Sequence, residues 1–281
     1  MRIRPVLCAL FLCGVLAAGE RSALVPEGGR EPVFSGDGHC VVYRADTDSG
    51  EPELWKIDLG TGRRTNLSLA GSSPARIPGT NRMLFLGPGI FPELFRLDIG
   101  SGKAERLEVP EPPAGVPFPA GERQFAYPAG YDNTPRLLFF DPETGKTVKP
   151  GTPLPPGAVK VSPGGKYAAL QIRPGGTGNL EIVELKTGKT VFRTDAKSGA
   201  MQINGCHSPA FAPGDRYLVY VSGGIQPLAD LVLADLETGK TRKLTDDGAD
   251  NQSPDFSPDG KQLVYSAHQD GRYRIFMMKM R

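Results

Sequence analysis

The chain has 281 residues, 23% of them charged and 39% hydrophobic, which fits one large folded unit or two small ones and excludes a disordered chain. Its 33 basic and 31 acidic residues nearly cancel, so no overall field draws it to nucleic acid or to an anionic membrane. Glycine (36) and proline (27) are abundant and spread along the chain, the pattern of many short strands and tight turns rather than of helices.

The first element reads as a leader. Arg2 and Arg4 form a basic start, and the apolar run over 6–16 is too short to span a bilayer. Ala17-Ala18-Gly19 supplies a small-residue cleavage site. The expectation is a signal peptide over 1–19 and a mature domain over 20–281, periplasmic or secreted. A buried N-terminal helix is the other reading, but the run has no polar face. Cleavage removes Arg2 and Arg4 and leaves equal numbers of basic and acidic residues. A lipid anchor on Cys13 needs small residues before it, where Leu10-Phe11-Leu12 stands. No later stretch is long and apolar enough for a transmembrane helix.

After the leader, one unit repeats. Pro32-Val33-Phe34-Ser35-Gly36-Asp37-Gly38, running on to Tyr43, reads as strand, turn, strand. Glu53-Leu54-Trp55-Lys56-Ile57 then leads into the turn Asp58-Leu59-Gly60-Thr61-Gly62. The second turn returns as Asp98-Ile99-Gly100-Ser101-Gly102, Asp141-Pro142-Glu143-Thr144-Gly145, Glu184-Leu185-Lys186-Thr187-Gly188 and Asp235-Leu236-Glu237-Thr238-Gly239. The first turn returns around Val161-Ser162-Pro163-Gly164-Gly165, Pro209-Ala210-Phe211-Ala212-Pro213-Gly214-Asp215 and, most clearly, Ser257-Pro258-Asp259-Gly260. The acidic residue opens a hairpin turn by accepting backbone N–H groups, and the glycine closes it with positive φ. Asp58, Gly62, Asp98, Gly102, Asp141, Gly145, Asp235, Gly239, Asp259 and Gly260 are therefore structural turn residues.

Six copies of a four-stranded unit about 40 residues long predict an all-β, six-bladed β-propeller of antiparallel blades. A sandwich or an open solenoid fits the repeat less well. The sixth copy stops at its third strand, Ile275-Phe276-Met277-Met278. Residues 21–25 precede the first copy as Arg242-Lys243-Leu244-Thr245 precedes the sixth, so the N-terminal strand is expected to close the last blade.

Asn251-Gln252-Ser253-Pro254-Asp255-Phe256-Ser257-Pro258-Asp259-Gly260-Lys261, with Ile275-Phe276-Met277-Met278 behind it, resembles the repeat of the TolB-type propeller family. The resemblance implies a six-bladed propeller in the bacterial envelope and a protein-interaction role. The α/β domain that precedes the propeller in that family has no place before the first blade here.

Candidate function falls on what does not repeat. The connection between the fourth and fifth copies is longer than its counterparts and ends in Asn204-Gly205-Cys206-His207. With Arg30, Asp250 and Asn251 it is expected to ring the channel mouth. Glu31 belongs to the same rim. Cys206-His207 makes too few ligands for a zinc site, the three histidines show no metal spacing, and no nucleophile elbow or phosphate loop is present. The reading is a monomeric, non-enzymatic scaffold without cofactor or metal, whose partner is another envelope protein or a peptide. The alternatives are a polysaccharide lyase or hydrolase, or a sugar- or metal-binding propeller. Cys40 and Cys206 fall in blades that are not neighbours, too far apart to bridge.

Overall fold

The computed structural model describes residues 18–46, 51–120, 124–129, 136–149, 153–155, 157–172, 178–194, 205–223 and 228–280. Most of the expected leader, residues 1–17, lies outside them. Strand β1 (Ala18–Val25) comes first. The first blade is β2 (Arg30–Phe34), β3 (Cys40–Asp46), β4 (Pro52–Asp58) and β5 (Arg64–Ala70), paired in that order from inside outwards. The second is β6 (Ser72–Arg76), β7 (Arg82–Leu86), β8 (Leu94–Asp98) and β9 (Ala104–Leu107). The third holds β10 (Phe118–Pro119), β11 (Phe125–Ala129) and β12 (Arg136–Phe140). The fourth is β13 (Ala158–Val161), β14 (Tyr167–Ile172), β15 (Asn179–Glu184) and β16 (Thr190–Arg193). The fifth is β17 (Cys206–Phe211), β18 (Tyr217–Ser222), β19 (Asp230–Asp235) and β20 (Thr241–Lys243). The sixth is β21 (Asp250–Phe256), β22 (Gln262–Gln269) and β23 (Arg272–Met280), with β1 as its outermost strand. All pairings are antiparallel, so the chain is an all-β, six-bladed propeller.

The cores explain the ring. A twisted sheet has two faces to cover, and each blade covers them against its two neighbours. Phe85 and Met83 of the second blade pack with Val42 and Leu54 of the first. Tyr127 and Phe140 of the third join Leu84 and Leu94 of the second. Further clusters link the third blade to the fourth, the fourth to the fifth and the fifth to the sixth. The last joins Val264 and Ile275 of the sixth blade to Phe34, Val41 and Tyr43 of the first.

The repeated turns work as their chemistry dictates. Thr61 donates both its N–H and its hydroxyl to Asp58 Oδ1 at 2.7 Å, and Ser101 does the same to Asp98 at 2.8 Å. Gly62 closes its turn at φ 71°. In the other turn, the Ser257 hydroxyl donates to Asp259 at 2.6 Å and accepts the Gln262 N–H at 2.9 Å.

The third blade departs from the pattern. Its outer place is held by one isolated bridge, Phe140 to Thr147, and by the Val148 N–H donating to Phe139 O. The chain there runs into Pro150, Pro153, Pro155 and Pro156, which have no N–H to offer a ladder.

Candidate functional site

Inner strands β2, β6, β10, β13, β17 and β21 bound the central channel. The Pro-Asp-Gly and Asp-x-x-Thr-Gly turns share one face of the ring. The connections between second and third strands, and those between blades, share the opposite, mouth face.

Four inner strands share a backbone device. Glu31, Ser73, Ser208 and Ser253 have φ between 50° and 54°, and each stands before a proline. The ladder register shifts at each, which marks a bulge. Recurrence in four blades makes this architecture rather than a site. In the first blade the bulge residue also reaches its neighbour: Glu31 Oε2 accepts the Ser73 N–H at 2.6 Å.

The expected mouth residues separate into two groups. His207 is partly buried, and its Nδ1 lies 2.9 Å from the Ser208 hydroxyl. Burial pushes its imidazole below the ordinary histidine range, and the charge of Asp250 opposes that shift. Asp250 accepts an N–H of Gln252 at 2.9 Å. Arg30 lies over the Tyr273 ring, 3.9 Å from its centroid, and Tyr273 packs against His268.

Cys206 and Asn251, by contrast, are taken up by packing. Cys206 is buried in the core between the fourth and fifth blades, its thiol 3.7 Å from the Ser222 hydroxyl. Asn251 is fully buried and donates to Ala229 O, Asp247 Oδ1 and Ala249 O. Gly205 sets how the chain enters β17. At φ 50° it lies so close to Gly178 that a Cβ would fall 1.9 Å from the Gly178 oxygen, so no other residue fits. Asn204 and the rest of the long connection, 195–204, lie outside the described residues. Cys40 and Cys206 form no disulfide and lie in different inter-blade cores.

Deeper in the channel, towards the turn face, stands a charged trio that sequence reasoning missed. Arg76 donates to Asp255 at 3.1 and 3.4 Å and to Phe256 O at 2.9 Å. Asp255 also accepts the Phe34 N–H at 3.0 Å. Lys160 lies within electrostatic reach of both Asp255 and Arg76. The three come from the second, fourth and sixth blades, which are not neighbours and meet only across the channel. A signal was present in the repeat. Ser35, Ile77, Ala120, Ser162, Ala212 and Ser257 anchor equivalent turns. Two residues earlier the copies read Val33, Ala75, Phe118, Lys160, Ala210 and Asp255. Two of six equivalent positions are thus charged.

The mouth face carries a further feature outside the expected cluster. Among the described residues, the exposed large apolar side chains include Ile90 (84%), Phe91 (64%), Val116 and Leu228. The first two tip the β7–β8 connection, Val116 lies between β9 and β10, and Leu228 between β18 and β19. All three connections open onto the mouth face. Beside the Ile90–Phe91 tip is a cleft of about 200 Å³, walled by Pro92, Leu94, Val109, Pro112 and Pro113. Arg106 closes its rim through ion pairs to Glu93 and Glu108. Among the described residues no group of three or more His, Cys, Asp or Glu is placed to hold a metal ion, and no helix is long and apolar enough to cross a membrane.

No family model and no curated protein matches the chain. Solved structures do match in fold. A putative TolB from Agrobacterium tumefaciens superposes with a TM-score of 0.60 at 16% identity, over 95% of this chain and 99% of that one. An oligogalacturonate lyase in complex with manganese superposes at 0.57 and 13% identity, over 95% and 96%. TolB from Acinetobacter baumannii matches at 17% identity with a TM-score of 0.41, and the chain spans 56% of its length. The chain thus has the fold of the TolB-like propellers.

Proposed function

We propose that this propeller is an exported, non-enzymatic scaffold that binds a protein or peptide partner on its mouth face. The observation that carries the reading is the placement of Ile90, Phe91, Val116 and Leu228 on mouth-face connections, with a proline-walled cleft and a charged rim beside the first two. Apolar loop tips on a rigid ring, bordered by ion pairs, have the composition of a partner surface. The leader over 1–19 delivers the chain to the envelope, where the TolB-like fold is compatible with such a role. Edman sequencing of the exported protein is expected to begin at Glu20; retention of Met1 to Gly19 in the exported form would contradict the leader.

The test of binding is site-specific photo-crosslinking in the native host. A photoreactive residue at Phe91 is expected to give one discrete adduct, and the same residue at Lys103 on the turn face none. Equal labelling from both faces, or no adduct at Phe91, removes the reading. The second reading is an enzyme acting on an acidic polysaccharide in the channel. It is favoured by Lys160 and Arg76, cations suited to a uronate, and a solved structure of the same fold is an oligogalacturonate lyase. Ultraviolet-absorbing unsaturated products released from oligogalacturonate by the purified protein would establish it over the first.

A further inference from the structure

The channel trio is unbalanced. Arg76 and Lys160 bring two positive charges and Asp255 one negative, and the carboxylate is already committed to Arg76 and to the Phe34 N–H. Arg76 and Asp255 are mostly shielded, with side chains 21% and 11% exposed. Lys160 is partly exposed, and its side chain makes no hydrogen bond or ion pair with any described residue. Its ammonium therefore stands within electrostatic reach of both partners without bonding Asp255, and all three residues sit on inner strands that face the channel. Of the five guanidinium N–H groups of Arg76, three bond to Asp255 and Phe256, which leaves two without a partner among the described residues.

We propose that the channel floor between Lys160 and Arg76 is a binding site for a single carboxylate group. Three features select that chemistry. The local charge of one excess positive matches a monoanion, whereas a dianion would meet Asp255. The remaining guanidinium donors and the three donors of an ammonium suit two carboxylate oxygens. The site is reached along the channel, so the group arrives either as a small organic acid or as the free carboxylate of a peptide end. Burial pushes the Lys160 ammonium below the ordinary lysine range, Asp255 opposing and Arg76 adding to the shift, so a bound anion relieves an existing electrostatic cost. The inference does not rest on the mouth-face reading, since neither Ile90 nor Phe91 takes part.

Titration calorimetry at constant ionic strength tests it. The probes are sodium acetate, inorganic phosphate, and a short peptide without acidic side chains, as the free acid and as the C-terminal amide. Saturable one-to-one binding of acetate or of the free-acid peptide is expected, with phosphate weaker and the amide silent. Acetate binding as tightly as the peptide assigns a small acid; a tighter free-acid peptide assigns a chain end. K160M is expected to weaken binding about tenfold or more, the loss of one charge-assisted contact. K160R keeps most of the affinity, and D255N tightens it by removing the competing anion. The last two carry the test if K160M fails to fold. No saturable carboxylate binding by folded wild type, phosphate binding as well as acetate, an amide as tight as the acid, or unchanged affinity in K160M would each overturn the site.

Discussion

Each turn aspartate holds its carboxylate where donors converge. Hydroxyl and backbone donors of Thr61 keep Asp58 below the ordinary aspartate range, and the backbone and hydroxyl of Ser101 do so for Asp98. The Arg216 side chain lowers Asp235 against a burial effect, and the Ser257 hydroxyl lowers Asp259. A folded-state pKa below the unfolded one gives stability that is complete above the unfolded value and lost as pH falls through the folded one. Thermal melting is therefore expected to hold steady down to about pH 5 and to decline below about pH 4, the unfolded aspartate range. The Asp98→Asn/Asp235→Asn protein should decline less steeply with acid, which melting curves across that window measure. His207 offers a second check by proton NMR. Its imidazole should titrate below the usual histidine value, and Asp250→Asn should lower it further, because Asp250 is the group that opposes burial.

Strand β1 shows how an element without a repeat neighbour is held. It pairs with β23 from Ala18 opposite Met280 to Val25 opposite Ile275, with register shifts after Ala18 and after Ala23. Val25 is buried in the core that joins the sixth blade to the first. Arg21 pairs with Asp247, which also accepts from Asn251. Burial works to raise the Asp247 carboxyl, yet Asn251 and Arg21 hold it below its ordinary range. Packing outweighs the ion pair here. Val25→Ala is expected to cost about 2 kcal/mol through its cavity, whereas Arg21→Ala costs only about 0.5 kcal/mol because the pair is screened by solvent. Chemical denaturation of the two variants checks the order. The turns and most strands were legible in the sequence because Asp, Pro and Gly sit where the backbone needs them. The inner-strand bulges were not, although Glu31-Pro32, Ser73-Pro74, Ser208-Pro209 and Ser253-Pro254 were in plain view, since an X-Pro pair does not by itself announce positive φ. The reduced outer strand of the third blade was hidden because Asp141 and Gly145 form the normal turn, and only the prolines after it break the ladder.

Across the whole molecule, repeated and unrepeated residues divide the work. Residues that recur build turns, bulges and inter-blade cores, and a scaffold of that kind can host many functions. Among the described residues, two of the places where the copies differ bear on function: the charged floor of Arg76, Lys160 and Asp255, and the apolar mouth-face tips led by Ile90 and Phe91. The candidate mouth cluster was partly legible. His207 and Asp250 interact, but the reading of Cys206 and Asn251 could not see that strand alternation turns them into the blades. The floor needed three dimensions, because its residues lie in alternate blades far apart in sequence. The most direct test of this division is partner crosslinking by the Ile90→Ser/Phe91→Ser protein, with the photoreactive residue moved to Pro92 and the melting temperature recorded alongside. The adduct formed by the Pro92-labelled wild type should disappear while melting stays within about 2 °C, as exposed side chains contribute little to stability. An undiminished adduct from a normally folded variant would contradict it.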